Sequence, residues 1–205
     1  MSNELEIFFP TKNRDYSLEK CLESINNHHP SCTITIANCS SNTEETSKIL
    51  KRFSNVNEII LSPDPGMVAS FNILIKMLTK KLVLWLSDDL ILSRSLTPAI
   101  EILLKNEHVM SVGLGLNDNI HFNDQLWPVD KHGCALWNSD GRRVAHFALV
   151  KKNHIEKVNL LVTRSNAIDL ALHNSLNNDN SIWFDGQSFI EHHRFMDETR
   201  RNRLW

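Results

Sequence analysis

The chain has 205 residues, 41% of them hydrophobic, which is enough to bury one substantial core and favours one domain over two. Its formal charge of −2 gives no general pull toward nucleic acid or acidic membranes, so any anion it binds must be met by local groups. No apolar run reaches about 18 residues, and positions 1–6 lack the basic start and apolar stretch of a signal peptide, which predicts a chain without a membrane span.

Cys21, Cys32, Cys39 and Cys134 form no C-x-x-C pair, and the doublets His28-His29 and His192-His193 lack zinc-finger spacing. Reduced thiols in a cytoplasmic protein are the simplest account.

The first half alternates strands and helices. Residues 5–9 are a strand-like run stopped by Pro10, and 16–27 carry Leu18, Cys21, Leu22 and Ile25 at helical spacing. Residues 33–37 are β-branched and strand-like. A polar turn over 38–42 follows, with Asn42 or Thr43 as N-cap of a helix to about residue 53. Residues 58–61 predict a third strand, and Ser62-Pro63-Asp64-Pro65-Gly66 a turn dense in breakers. From 67 to 78, Val68, Phe71, Leu74, Ile75 and Leu78 share one helical stripe. Residues 82–86 are an unbroken apolar run, too short for a membrane and too continuous for a half-exposed strand, so they predict a strand buried on both faces. Three strand–helix units feeding this fourth strand predict a mostly parallel sheet with right-handed crossovers and helices on both faces, a doubly wound α/β domain.

Beyond it, a helix over 96–104 carries Pro98 in its first turn, and 109–116 predict a fifth strand. Residues 117–143, rich in Asn, Asp, Gly and Trp, predict a long irregular segment of the kind that is more often functional than idle. A strand over 144–150, a helix from Ser165 through 175, a short strand over 181–184 and a charged helical tail over 194–205 complete the chain.

Asp88 and Asp89 leave the buried strand at its carboxyl end, where ligands collect in open α/β sheets and an acidic pair is well placed to hold a divalent cation. Turn formation alone also accounts for Ser87-Asp88-Asp89.

The order of these pieces resembles family 2 glycosyltransferases with the GT-A fold, over roughly residues 5 to 195. Phe9-Pro10-Thr11-Lys12-Asn13-Arg14 and the helix after it look like that family's opening strand, donor loop and first helix. Asp64-x-Gly66-x-x-x-x-x-Asn72 is similar to its N-x-G-x-x-x-x-x-N element, with Asp in place of the first Asn. Ser87-Asp88-Asp89 falls where the family carries its D-x-D metal motif, Ser87 replacing the first acid. Ile168-Asp169 falls where an acidic dipeptide supplies the catalytic base, and His192 where many relatives bring a histidine to the metal or diphosphate. Relatives end the second strand with an acid that reads the base or ribose; here that place holds Asn38.

The resemblance implies a Rossmann-like GT-A domain over 1–205, with a nucleotide-sugar half over about 1–116, an acceptor and catalytic half over about 117–193, and the tail. A nucleotide-sugar donor (UDP-, GDP- or dTDP-linked) leaves as a diphosphate, and Mg2+ or Mn2+ held by Asp89 and His192 neutralises the charge that grows there. Pro10, Thr11, Arg14, Asn38, Asn72 and Asp88 are the donor-binding candidates. Trp127 and Trp137 are acceptor-stacking candidates, the acceptor being a hydroxyl on a glycan or glycolipid precursor. One base, Asp169, suffices to take the acceptor's proton, and a single in-line attack inverts the anomeric carbon. The implied setting is the cytoplasm, free or peripheral at a membrane, with no nucleic-acid partner and the oligomeric state open. Two rival readings stand beside this one. A sugar-phosphate nucleotidyltransferase calls for a Gly-rich first loop, absent here, and an inactive GT-A-like binding protein is kept in view by Ser87, Ile168 and Asn38.

Overall fold

The computed structural model describes residues 2–117, 134–136, 147–156 and 181–192. Most of the expected irregular segment, the helix from Ser165 and the charged tail lie outside the described residues.

The axis of the fold is β1 (Leu5–Thr11), flanked in parallel by β2 (Thr33–Asn38) on one side and β4 (Leu82–Trp85) on the other, with β3 (Val56–Ile60) parallel to β2 at the edge. The chain therefore walks outward from β1 to β3 and then jumps back across β1 to β4. With right-handed crossovers, the outward steps put α1 (Asp15–His28) and α2 (Thr43–Leu50) on one face, and the return step puts α3 (Met67–Met77) on the other. Consistent with this, α1 packs on α2, and α3 packs on β1 and β2. The helical stripes seen in the sequence are the buried ones: Leu18, Cys21, Leu22 and Ile25 on α1, Phe71, Leu74 and Ile75 on α3. Every residue of β4 is buried, as its unbroken apolar run requires.

The far half of the sheet is woven out of chain order. β8 (Ala148–Lys151) runs antiparallel between β4 and β6 (Ser111–Asn117), and β9 (Ser181–His192) runs parallel to β6. β5 (Leu90–Leu92) and β7 (Cys134–Leu136) pair antiparallel with β9. Strands β1 to β4, β6 and β9 thus point one way and β5, β7 and β8 the other, so the sheet is mostly parallel. α4 (Thr97–Lys105) covers β6 and β8, and a short α5 (Lys152–Ile155) follows β8. β9 extends well past the strand expected over 181–184, and the helix expected to reach residue 53 stops at Leu50.

Two sets of polar anchors lock the architecture. The buried Glu6 carboxylate accepts from Thr35 Oγ1 (2.5 Å), Thr79 N (2.7 Å), Thr79 Oγ1 (3.1 Å) and Lys80 N (3.1 Å), tying β2 and the α3–β4 turn to β1. Ser24 Oγ on α1 accepts from Leu92 N (3.0 Å), and at the helix's C-cap His29 Nε2 accepts from Leu96 N (2.8 Å), so the helix holds the segment that follows Asp89. Accepting through Nε2 requires the neutral ring, and burial pushes the His29 imidazole down to about 4.

Candidate functional site

Where the chain reverses across β1, the loops leaving β1 and β4 meet the α3 N-terminus at the carboxyl ends of these strands, the place where ligands collect in open α/β sheets. A cavity of about 180 Å³ lies there. Pro10, Met67, Phe71, Trp85 and Leu86 form its apolar wall, and Thr11, Lys12, Arg14, Asp64, Ser87 and Asp88 its polar side, with Cys39 and Ser70 between. Phe71 meets Trp85 edge to face, ring centroids 5.1 Å apart, so a helix face and a strand end close the floor together. Among the described residues, the buried indole N–H of Trp85 finds no hydrogen-bond partner.

At the rim, Asp88 and Asp89 are both buried, 3% and 5% exposed. Thr11 Oγ1 donates to Asp88 Oδ2 at 2.8 Å and Ser87 Oγ to Asp89 Oδ1 at 2.7 Å. Arg14 Nη1 donates to Asp88 Oδ1 at 2.8 Å and reaches Asp89 Oδ2 at 3.3 Å, so one nitrogen bridges the two carboxylates. Burial pushes the Asp88 carboxyl above its ordinary value; the Arg14 charge pulls it back, the Asp89 charge adds to the rise, and the Thr11 hydroxyl opposes it. Below the pair, the Cys21 thiol contacts Ser87 O at 3.6 Å, and burial raises it well above the usual thiol range, so it is no nucleophile.

The loops around the rim are stitched to one another. Asn13, at φ 55°, donates Nδ2 to Ser41 Oγ (3.0 Å), accepts Ser41 N on Oδ1 (2.8 Å), and donates its own N–H to Ser40 Oγ (3.0 Å). Asn tolerates this left-handed backbone better than most residues. Lys12 Nζ pairs with Asp64 Oδ2 at 2.7 Å, and Asp64 Oδ1 accepts from Gly66 N at 2.8 Å. Lys12 holds the Asp64 carboxyl below its ordinary value. Gly66, at φ 87°, opens α3 in a conformation suited to glycine.

Of the residues singled out in the sequence, Pro10, Thr11, Arg14 and Asp88 line the cavity, and Asp89 joins them through Arg14. Asn38 is 0% exposed, and its amide is spent internally: Nδ2 donates to Glu58 Oε1 (2.7 Å) and Thr43 O (3.0 Å), while Oδ1 accepts from Ser40 N (3.1 Å). Asn72 sits half-buried on α3, one residue beyond the cavity-lining Phe71. His192 ends β9 in register with Leu90, the residue after Asp89, so its backbone lies beside the acidic pair. Asp169, Trp127 and Trp137 lie outside the described residues. The sequence reading passed over Lys12, Asn13, Asp64 and Phe71 as individual contributors, although Lys12, Asn13 and Asp64 stand inside the motifs it quoted.

A family model described as glycosyl transferase family 2 matches residues 6–158. No curated protein sequence matches the chain. Among solved structures, S. aureus TarS 1–349 in complex with UDP superimposes with a TM-score of 0.68 at 12% identity, covering 92% of this chain and 60% of that one. The same TarS fragment in complex with UDP-GlcNAc gives 0.63 at 11%, covering 92% and 58%. The mannosyltransferase PcManGT from Pyrobaculum calidifontis, in complex with GDP-Man and Mn2+, gives 0.58 at 13%, covering 88% and 56%. The chain spans about three fifths or less of the length of these neighbours.

Proposed function

The chain belongs to glycosyl transferase family 2, and on that premise we propose that it is an inverting, metal-dependent glycosyltransferase moving a sugar from a nucleotide-sugar donor to a hydroxyl acceptor. The observation that carries this reading is the convergence of Asp88 and Asp89 on one cationic nitrogen at the rim of the switch-point cavity. Two hard carboxylates sharing one positive centre suit Mg2+ or Mn2+. Among the described residues no cluster of three or more His, Cys, Asp or Glu could hold an ion by itself, so the remaining ligands are diphosphate oxygens and water, as is usual for Mg2+ in phosphate sites. Asp89 is the direct ligand, and the pairing of Leu90 with His192 supports His192 as a second. When bound, the cation offsets the charge that develops on the departing diphosphate.

The chain's own groups do the rest. Pro10 and Thr11 bound the nucleoside space, Arg14 and Asp88 its diphosphate and ribose side, and Asn72 supports the α3 wall. Asn38 acts through the turn it organises, by presenting Ser40. Asp169 takes the proton of the acceptor hydroxyl as it attacks, and Trp127 and Trp137 stack on the acceptor sugar. The neighbours solved with UDP, UDP-GlcNAc and GDP-Man with Mn2+ support the donor class. No helix among the described residues is long and apolar enough to cross a membrane. The acceptor in this reading is a glycan or glycolipid precursor met on the cytoplasmic side.

Thermal melting with UDP, GDP, dTDP and CDP, each with and without Mn2+, tests the donor site, because a ligand that binds the folded state raises its melting temperature. At least one nucleotide should shift the curve, and more with Mn2+; no shift with any of them defeats the reading. Donor hydrolysis by the wild type against Asp169→Asn then separates an enzyme from an inactive relative, which shows no metal-dependent turnover.

A further inference from the structure

All four carboxylate oxygens of the acidic pair are engaged by the chain itself. Asp88 Oδ2 takes the Thr11 hydroxyl (2.8 Å) and Asp89 Oδ1 the Ser87 hydroxyl (2.7 Å). These donors are neutral and compete little with a cation. The two oxygens that face each other, Asp88 Oδ1 and Asp89 Oδ2, are instead bridged by Arg14 Nη1, at 2.8 and 3.3 Å. A guanidinium and a divalent cation cannot both sit against the same two oxygens, since their like charges repel at contact distance.

We propose that Arg14 is the resident counter-cation of this pair: without donor, its guanidinium fills the place between Asp88 and Asp89, and a divalent cation enters only by displacing it onto the donor's diphosphate. The inference rests on the reading of Asp88 and Asp89 as a cation-holding pair. The geometry allows the exchange. Arg14 is the N-cap of α1, its carbonyl accepting from Leu18 N at 2.9 Å, so its backbone is pinned and only the side chain need move. That side chain is 29% exposed and lines the same cavity as the acidic pair's Asp88. Its planar fork matches phosphate oxygens as well as carboxylates, so the diphosphate gives the displaced group a new partner.

Metal and donor binding are then coupled through one side chain. Metal arriving alone must strip Arg14 from its carboxylates and brings it no new anion in exchange, whereas metal arriving with a diphosphate exchanges one set of partners for another. Wild type should bind Mn2+ weakly by itself and markedly more tightly with UDP. Arg14→Met removes the competitor, so Mn2+ alone should bind at least about tenfold tighter than to wild type, and UDP, which still lends its diphosphate oxygens to the ion, should tighten Mn2+ by a clearly smaller factor than it does in wild type. Arg14→Lys keeps a cation at the end of a flexible stem and should stay near wild type in Mn2+ affinity, which controls for a general effect of altering the loop.

Electron paramagnetic resonance of free and bound Mn2+ reads these affinities without any turnover. Equal or weaker binding of Mn2+ by Arg14→Met overturns the assignment while leaving the donor site standing. Should Arg14→Met fail to fold, wild type alone decides: Mn2+ affinity unchanged by UDP, in a protein whose melting temperature UDP raises, overturns it as well. No Mn2+ binding by any of these proteins, with or without UDP, overturns both this inference and the metal-dependent reading beneath it.

Discussion

Replacing Asn38 with Asp puts back the acid that relatives carry at the end of the second strand, and in this chain it should cost stability. Asn38 is 0% exposed and its Nδ2 donates to Glu58 Oε1 at 2.7 Å and to Thr43 O at 3.0 Å. In Asn38→Asp an acceptor replaces that donor, so two carboxylates and a carbonyl face one another with no proton between them. Glu58 is not free to swing aside, because Ser47 Oγ also donates to its Oε1, at 2.5 Å. Two unit charges at 2.7 Å repel by about 6 kcal/mol at an effective dielectric of 20. The pair can escape this by keeping one proton, which costs about 1.4 kcal/mol for each pH unit above an ordinary carboxyl value near 4, or about 5 kcal/mol at pH 7.5. The cheaper route sets the loss, so Asn38→Asp should lose about 5 kcal/mol at pH 7.5, a large share of the 5 to 15 kcal/mol that about describes a typical domain. About 3 kcal/mol of it should return at pH 5, where holding the proton is easier. Urea denaturation at the two pH values measures both numbers. Asn38→Asp combined with Glu58→Gln should regain most of the loss, since the new amide can donate where Asn38 did. A loss under about 1 kcal/mol at pH 7.5, or no recovery at pH 5, refutes the claim that this amide is spent on Glu58.

His29 gives a second pH signature: its folded value of about 4 lies below the ordinary 6.5, so the unfolded chain binds the extra proton first, and the clamp's contribution is complete above 6.5 and lost as pH falls from 6.5 through 4. The loss relative to pH 7.5 should reach about 2 kcal/mol at pH 5, and the difference between wild type and His29→Gln in denaturation free energy should vary with pH by that amount. Thr11→Val deletes a hydroxyl bonded to a buried carboxylate and should cost about 2 kcal/mol in the same assay, with the Asp88 carboxyl pushed further up; unchanged stability means the hydroxyl does not hold Asp88. Gly66→Ala meets nothing within 4 Å, so its cost is backbone strain alone at φ 87°, about 1 to 2 kcal/mol, and because this turn seats α3 the nucleotide-induced melting shift should shrink as well.

Sequence and structure agree most closely where the local pattern carries the long-range information. From β1 through β4 each element is long enough to show its period, and helices on both faces with right-handed crossovers imply that the chain reverses its walk somewhere in the sheet; that it does so across β1 is seen only in the strand pairing. Past β4 that conversion fails. β5 and β7 have three residues each, too few to display alternation, and β8 enters antiparallel between β4 and β6, a placement that no strand pattern encodes. Glu6 was equally opaque: a charged residue inside an apolar strand looks like a face exposed to water, and only the donors arriving from residues 35, 79 and 80 make it an internal anchor.

The same distinction explains which parts of the site could be read. Thr11, Arg14, Asp88 and Asp89 sit just beyond or at the carboxyl ends of two adjacent parallel strands, where ligands collect in open α/β sheets. A residue's distance along the chain from such a strand end therefore predicts its place at the rim, which is why residues 74 to 77 positions apart could be assigned to one site. What that distance does not predict is how the rim groups pair. Lys12 with Asp64, Asn13 with Ser41 and Arg14 with both acids are choices among several loops of similar reach, decided by side-chain length and charge once the strand ends are in place. The bridge made by Arg14 belongs to this second kind of information: the acids alone suggest a metal, and only their distances to a third residue show that the chain already supplies a cation of its own.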